Sequence, residues 1–411
     1  MHILFLSDNF PPEGNAPATR TYEHVREWVK KGHKVTVITC APNFPEGKVF
    51  DGYENKWLAK TAYEGIDVWR VKTYITANEG FLKRTLDFIS FMLSSFIFGL
   101  FTKKVDVVIG TSPQFFTVNS AWALAKLKRI PFVFELRDIW PASITAVGAM
   151  KKSKVISVLE KIEMFLYRQA DLIVSVTNSF KTELVERNVD ENKIEVVLNG
   201  VDLSKYAPAE RKAESFATRF SLEDKFVVGY IGTHGLAHAL DKVIEAAQIL
   251  EHKAPDIAFV FAGGGAAKPQ IEKLVEENKL SNVVMIDRQP KEKMPELWSL
   301  CDVSLISLKD TPLFKTVIPS KIFESMGMGL PMIFSGPLGE ASDIISQSSS
   351  GVIVKPEDPD ALAEAILDLW RSQVQLKTIK SSSYQAAQQY DRRNLSLSML
   401  SHITNLVERK K

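Results

Sequence analysis

Short apolar runs, each followed by a longer stretch with helical spacing, recur along the whole chain. The first run, His2–Leu6, predicts a buried strand; residues 9–17 form a Pro- and Gly-containing loop, 18–31 an amphipathic helix ended by Gly32, and 34–39 a second strand. Further strand runs fall at 105–109, 132–134, 172–176 and 194–197. A second series begins at Phe226–Ile231 and continues through 258–262, 283–286, 303–306, 332–334 and 351–354. No internal repeat or low-complexity tract interrupts them. Strand and helix in alternation predict parallel sheets covered by helices on both faces. The expected organisation is α/β: two doubly wound Rossmann-like domains facing across a cleft, residues 1–202 and 203–382. A final helical segment, 383–411, is expected to pack back toward the first domain. Ligands of such sheets bind at the carboxyl ends of the strands.

Length agrees with two cores, since 411 residues exceed one comfortable domain. A net charge of +2 argues against a dedicated nucleic-acid binder. Cys40 and Cys301 sit in apolar surroundings and read as core residues, which suits a reducing cytoplasm. The opening residues lack the basic region and long apolar run of a signal peptide. Residues 86–101 are the most apolar stretch, but Asp87, Ser90, Ser94 and Ser95 interrupt it, so a membrane span is not expected. Lys83, Arg84, Lys103 and Lys104 flank it. It reads either as a core helix or as one whose phenylalanines meet an anionic membrane, through 83–104.

The richest chemistry lies at 315–331. Pro319 and Ser320 predict a helix start with Ser320 as N-cap, and Gly329 and Pro331 close that helix. Lys321 and Glu324, three apart, share one face of its first turn. A helix start with a lysine attracts anions, and a carboxylate one turn on can accept from a ribose diol. Together they predict a nucleoside diphosphate site.

Other loops follow strands. Gly14, ahead of a helix containing Arg20, is either a phosphate-approach glycine or part of an ordinary surface loop. Gly232, Thr233, His234, Gly235 and His238 follow the strand at 226–231 and are expected to contact phosphate or sugar. A metal held by His234 and His238 is disfavoured by Gly235 and the lack of a third ligand. Gly263, Gly264 and Gly265, with Lys268 close by, read equally as a nucleotide-approach turn or a flexible one. Glu135, Arg137, Asp138, Trp140 and Pro141 follow the strand at 132–134; Arg137 either faces a cleft or is tied to Glu135 or Asp138.

Taken together, these motifs resemble the retaining glycosyltransferases of the GT-B fold, family four, over essentially the whole chain. The markers are the glycine loop after the first strand, Asn199, Gly200, Val201 and Asp202 at the junction, the 263–265 turn, and the segment 324–331. The segments 136–141, 232–240 and 318–321 look closer to the bacterial surface-polysaccharide branch, N-acetyl-fucosamine transferases included.

There are two departures. The second of the family's paired glutamates falls on Glu324, but the first falls on Thr316, which suggests an unusual or deoxy donor sugar. The family's arginine and lysine after the first strand of the second half are replaced by the 233–238 loop.

The resemblance implies transfer of a sugar from a nucleotide donor, UDP-linked, to a polyprenyl-diphosphate-linked glycan in surface-polysaccharide synthesis. It implies a cytoplasmic protein, peripheral on the cytoplasmic face of the inner membrane. Lys321, Asp138 and Arg137 are the expected catalytic residues. Donor binding is expected from Gly14, Arg20, Gly232, Thr233, His234, His238, Gly264, Lys268, Thr316, Ser320, Lys321 and Glu324. No metal and no cofactor beyond the donor substrate are expected. Rival readings are a sugar-nucleotide epimerase and a non-catalytic partner subunit.

Overall fold

The structure, a computed structural model, describes residues 1–44, 46–76, 81–112, 115–139 and 154–410. Contacts divide the chain into two units, Met1–Leu198 with Arg392–Lys411, and Asn199–Asp391.

Unit 1 contains β1 (His2–Leu6), β2 (Lys34–Cys40), β3 (Leu58–Tyr63), β4 (Ile66–Val71), β5 (Val107–Thr111), β6 (Phe132–Leu136), β7 (Leu172–Ser175) and β8 (Ile194–Val196). They form one sheet in the order β3-β4-β2-β1-β5-β6-β7-β8. All neighbours pair in parallel except the β3–β4 hairpin. That hairpin escaped the sequence reading because β3 is an edge strand, mostly exposed, and carries no apolar run.

The period-two alternation of β1 sets the layers. Ile3 and Phe5 pack with Val25 and Trp28 on one face, while Leu4 and Leu6 pack with Phe91, Val118 and Leu124 on the other. Asn15 caps helix Ala16–Lys30, its side chain accepting from the Ala18 N–H at 2.9 Å.

Helix Arg392–Lys410 completes the first face. Met399, Ile403 and Val407 enter the core, Trp28 Nε1 donates to the Ser396 carbonyl at 2.9 Å, and Arg392 pairs with Glu23. The chain returns to unit 1 at Arg392, later than the 383 read from sequence. Residues before it stay in unit 2: Ser383 Oγ donates to the Leu330 carbonyl at 2.8 Å, and Tyr390 packs on Phe323 at 4.9 Å. The forward crossing lies at Leu198–Asn199 rather than after Asp202.

Helix Phe81–Leu100 corrects one expectation. Phe91 is buried and Phe96 and Phe98 pack against the core, whereas Leu86, Leu93, Ile97, Leu100 and Phe101 are exposed. The outward apolar face is thus mainly aliphatic, because the helical turn points the larger rings at the sheet. Among the described residues no helix is long and apolar enough to cross a membrane.

Unit 2 contains β9 (Phe226–Ile231), β10 (Ile257–Ala262), β11 (Val283–Ile286), β12 (Val303–Ser307), β13 (Met332–Ser335) and β14 (Gly351–Val354), all parallel, in the order β11-β10-β9-β12-β13-β14. Order reverses between β9 and β12, so a ligand crevice is expected at the carboxyl ends of those two strands. Each unit is therefore a Rossmann-like α/β domain.

Candidate functional site

The loops after β9 and β10 lie side by side in unit 2. Gly232 N–H donates to the Ala262 carbonyl at 2.8 Å, His234 N–H to the Gly264 carbonyl at 2.9 Å, and Ala267 N–H to the His234 carbonyl at 2.8 Å. Glycine is required where they meet: Gly263 has φ +145°, and a Cβ there would lie 1.9 Å from the Gly232 carbonyl oxygen. Nothing lies within 4 Å of a Cβ built on Gly264, so that backbone is open to a ligand.

Lys321 approaches these loops from helix Lys321–Gly327. Its side chain is 9% exposed, and Nζ has no hydrogen-bond partner. Nζ lies 3.6 Å from the centroid of the ring of Tyr230, the penultimate residue of β9, and a Cβ on Gly232 would be 3.3 Å from it. Burial pulls the amine down to about 7, against a smaller opposing pull from Glu324. A buried ammonium without a paired anion is costly, and here the site is one anion short.

Glu324, half-buried one turn on, accepts from Trp298 Nε1 at 3.3 Å. Thr316 turns its hydroxyl back to the Leu313 carbonyl at 3.0 Å. His238 is half-buried with Nδ1 3.3 Å from the Ser307 carbonyl; burial and Lys321 hold its imidazole down near 4. Thr233 is exposed, and its carbonyl accepts from the Tyr230 hydroxyl at 2.8 Å.

Three unit 2 expectations require correction. Ser320 does not cap the helix: it already has helical dihedrals, φ −59° and ψ −26°, and its side chain makes no capping bond. The ring of His234 is fully buried, with neither nitrogen bonded, so it is sealed from a ligand; burial, Lys268 and Lys321 push it down to about 4. Lys268 is not a free cation, being paired with Asp287 and, at 3.5 Å, with Glu272.

In unit 1 the structure corrects Arg20. It is 3% exposed, its Nε donates to Glu135 Oε1 at 2.8 Å, and its terminal nitrogens donate to the Val197 and Leu198 carbonyls at 2.9 and 2.8 Å. Such a guanidinium is a structural clamp. Gly14 is exposed, with nothing within 4 Å of a Cβ built on it.

Arg137 and Asp138 are half-buried in the loop after β6, their backbone N–H groups both donating to Ser112 Oγ, at 2.8 and 3.3 Å. Nε and Nη1 of Arg137 have no partner; burial lowers the group to about 10, with Glu135 opposing and Arg20 adding to the fall. Trp140 and Pro141 lie outside the described residues.

Sequence reasoning missed an acidic group at the same end of the unit 1 sheet. Glu13 is buried, accepts from the Asn43 and Phe44 N–H groups at 2.8 and 2.9 Å, and is pushed up to about 7 by burial. Asp87 rises to about 7 through burial and the nearby Asp8. Burial also raises Asp8, with Arg137 pulling the other way. Only the placement of Asp8 and Glu13 after the first strand hinted at this. Among the described residues no group of three ligands is placed to hold a metal ion.

Sequence comparisons place a domain described as glycosyl transferases group 1 over residues 211–389 and one described as glycosyltransferase family 4 over 17–205. The chain is 26% identical over 376 residues to WcaI of Escherichia coli K12, named for colanic acid biosynthesis, covering 89% of this chain and 91% of that protein. It is 25% identical to WbjE of Pseudomonas aeruginosa, named a glycosyltransferase, over 64% of this chain and 66% of that protein. Among solved structures, Anabaena Alr3699/HepE in complex with UDP matches with TM-score 0.73 at 15% identity, covering 98% of this chain and 100% of that one. WaaG, a glycosyltransferase involved in lipopolysaccharide biosynthesis, matches with TM-score 0.68 at 13% identity, over 97% and 98%. At these identities the structural likenesses speak to fold alone, and that fold is GT-B.

Proposed function

We propose, from the premise that this chain is a glycosyltransferase joining a family 4 domain to a group 1 domain, that it transfers a sugar from a UDP-linked donor to a polyprenyl-diphosphate-linked glycan during surface-polysaccharide synthesis. The observation that carries the reading is Lys321, a buried lysine with no hydrogen-bond partner beside Gly232 at the carboxyl end of β9, where that loop meets the open Gly264 backbone after β10. A donor diphosphate supplies that anion. The solved HepE complexes with UDP and with UDP and glucose support a nucleotide sugar as the substrate and favour UDP.

In this reading catalysis rests on stabilising the departing diphosphate rather than on a strong nucleophile. Lys321 meets the phosphate charge, and Glu324, steadied by Trp298, accepts from the ribose hydroxyls. The reaction is retaining: the acceptor approaches on the face the diphosphate leaves, and a donor phosphate oxygen takes its proton. Arg137 and Asp138 position the acceptor or the donor sugar. Thr316 offers a hydroxyl where the family pattern has a carboxylate, which favours an N-acetylated or deoxy donor sugar. No metal is invoked. Membership of the glycosyltransferases takes precedence over the epimerase and non-catalytic readings.

The acceptor's lipid fits helix Phe81–Leu100. Its exposed Leu86, Leu93, Ile97 and Leu100, continued by Phe101, form one apolar stripe, and exposed Lys83, Arg84, Lys103 and Lys104 stand at its ends. That combination suits the interface of an anionic bilayer, which gives peripheral residence at the cytoplasmic face of the inner membrane.

Calorimetric titration of UDP, GDP and dTDP into the wild-type protein and Lys321→Ala tests the donor site. Binding of one nucleotide, lost in the variant, is the expected result. No binding of any nucleotide sinks the proposal.

A further inference from the structure

A cationic phosphate site is ordinarily charged before its ligand arrives. Here the groups around the diphosphate position are arranged otherwise. Lys321 stands behind the face of Tyr230 with no carboxylate bonded to it. Tyr230 is itself 1% exposed, and its hydroxyl is committed to the Thr233 carbonyl, so the ring cannot swing away from the amine. The ring covers Nζ on one side and the Gly232 backbone lies on another, leaving little room for water.

Among the described residues, five charged or titratable groups stand near this amine or its loops. Glu324 lies on the same helix, one turn on, and its attraction is weaker than the effect of burial. His234 and His238, on the loop after β9, are both held neutral at physiological pH by their own burial and by Lys321. Lys268, beyond His234, is occupied by Asp287 and Glu272. Tyr230 is buried and pushed far up, so it stays un-ionised. None of these groups hydrogen-bonds Nζ, and Glu324 offsets only part of the cost of burying the ammonium.

We propose that a nucleoside diphosphate binds unit 2 together with a proton taken up at Lys321, and that Tyr230 is the positioning residue that keeps this amine desolvated and aimed at Gly232 until the phosphate arrives. The inference rests on the donor-site reading and adds its charge regulation. An amine that titrates near neutrality in the free protein becomes a full ammonium beside phosphate oxygens, because an opposite charge at hydrogen-bond distance restores the charged form. The proton comes from solvent, so tight binding of the donor is favoured by lower pH across the range where the free amine is losing its proton. After transfer, loss of the diphosphate returns the proton, which ties product release to the same titration.

The test is calorimetry of UDP binding between pH 6 and 8 in two buffers of small and large ionisation enthalpy, which counts protons exchanged. Lys321→Arg carries a permanent charge, so its proton balance isolates the nucleotide's own ionisation. The wild type is expected to take up about half a proton more than Lys321→Arg at pH 7, rising toward one at pH 8 and vanishing near pH 6.

Equal proton balances in the two proteins, with nucleotide bound in both, overturn the coupling and leave the donor site standing. Absence of binding in the wild type removes the donor site and the coupling with it. Tyr230→Phe and Tyr230→Leu provide the second arm, also if Lys321→Arg does not bind. The phenyl ring still covers the amine, so Tyr230→Phe keeps the extra uptake at pH 7. Tyr230→Leu opens the amine to water and loses it. Unchanged uptake in Tyr230→Leu overturns the role given to the ring.

Discussion

Arg20 and Glu135 form a 2.8 Å ion pair in which the two side chains are 3% and 1% exposed. Burial pushes the Glu135 carboxyl up, but Arg20 and Arg137 more than offset this and hold it below the ordinary carboxylate range. A residue that the helix position offered as a phosphate ligand is instead what ties helix Ala16–Lys30 to β6 and, through two carbonyls, to the end of the first segment of unit 1.

Removing one partner of such a pair leaves a buried charge alone. Arg20→Met is expected to destabilise the protein by about 3–5 kcal/mol, and Arg20→Met with Glu135→Gln by less. Urea unfolding followed by circular dichroism checks this. Nucleotide affinity of the folded Arg20→Met fraction should match the wild type.

On the proposed donor reading, Lys321→Ala removes the cationic group that meets the diphosphate. A hydrogen bond involving a charged group contributes about 1.5–3 kcal/mol, so nucleotide affinity should fall by roughly tenfold to a hundredfold. Glu324→Gln, keeping size but losing charge, should weaken nucleotides with an intact ribose diol and leave 2′,3′-dideoxy analogues unchanged. A drop for both analogues alike would contradict the ribose assignment.

The buried histidines set an acid limit. His234 and His238 both have their folded values lowered to about 4 from the ordinary 6.5. Their neutral forms fit the fold, so stability is full above pH 6.5 and declines as pH falls toward 4, where the unfolded chain binds protons that the folded one refuses. Unfolding midpoints measured from pH 7.5 to 4.5 should fall less steeply in His234→Gln with His238→Gln than in the wild type.

Leu93→Glu with Ile97→Glu places two charges on an already exposed face. Thermal stability should stay within about 0.5 kcal/mol of wild type. Co-sedimentation with vesicles containing anionic lipid should be lost, as it should at high salt if the flanking lysines contribute. Vesicle binding equal to wild type would remove the membrane assignment.

The unit 2 strands were legible because each is a parallel strand carrying a mainly apolar run, fully buried in the inner strands and half-buried in the edge strands β11 and β14; Phe226–Ile231, Val283–Ile286 and Gly351–Val354 stand where the pattern put them. The exposed β3 gave no such signal. Lys321 and Glu324 were legible through helical spacing, and their shared environment followed. Tyr230 was not: its meeting with Lys321 depends on β9 and helix Lys321–Gly327 coming together across nearly a hundred residues, and no local pattern encodes that. Lys268 misled for the same reason, since Asp287, its partner, belongs to another loop. Ser320 misled because the chain is already turning helically when it reaches that residue.

The late return of the chain at Arg392 has a consequence for how the protein is made. Unit 2 is inserted whole between two parts of unit 1, and the last part carries Met399, Ile403 and Val407 into the core beside Trp28. On the ribosome, unit 2 has all of its sequence before unit 1 does. Residues 1–198 must wait, with the part of the sheet face beside Trp28 still open, for helix Arg392–Lys410. A chaperone that shields apolar surface therefore has its longest task at residues 1–198, and a stop codon before Arg392 damages a segment already made.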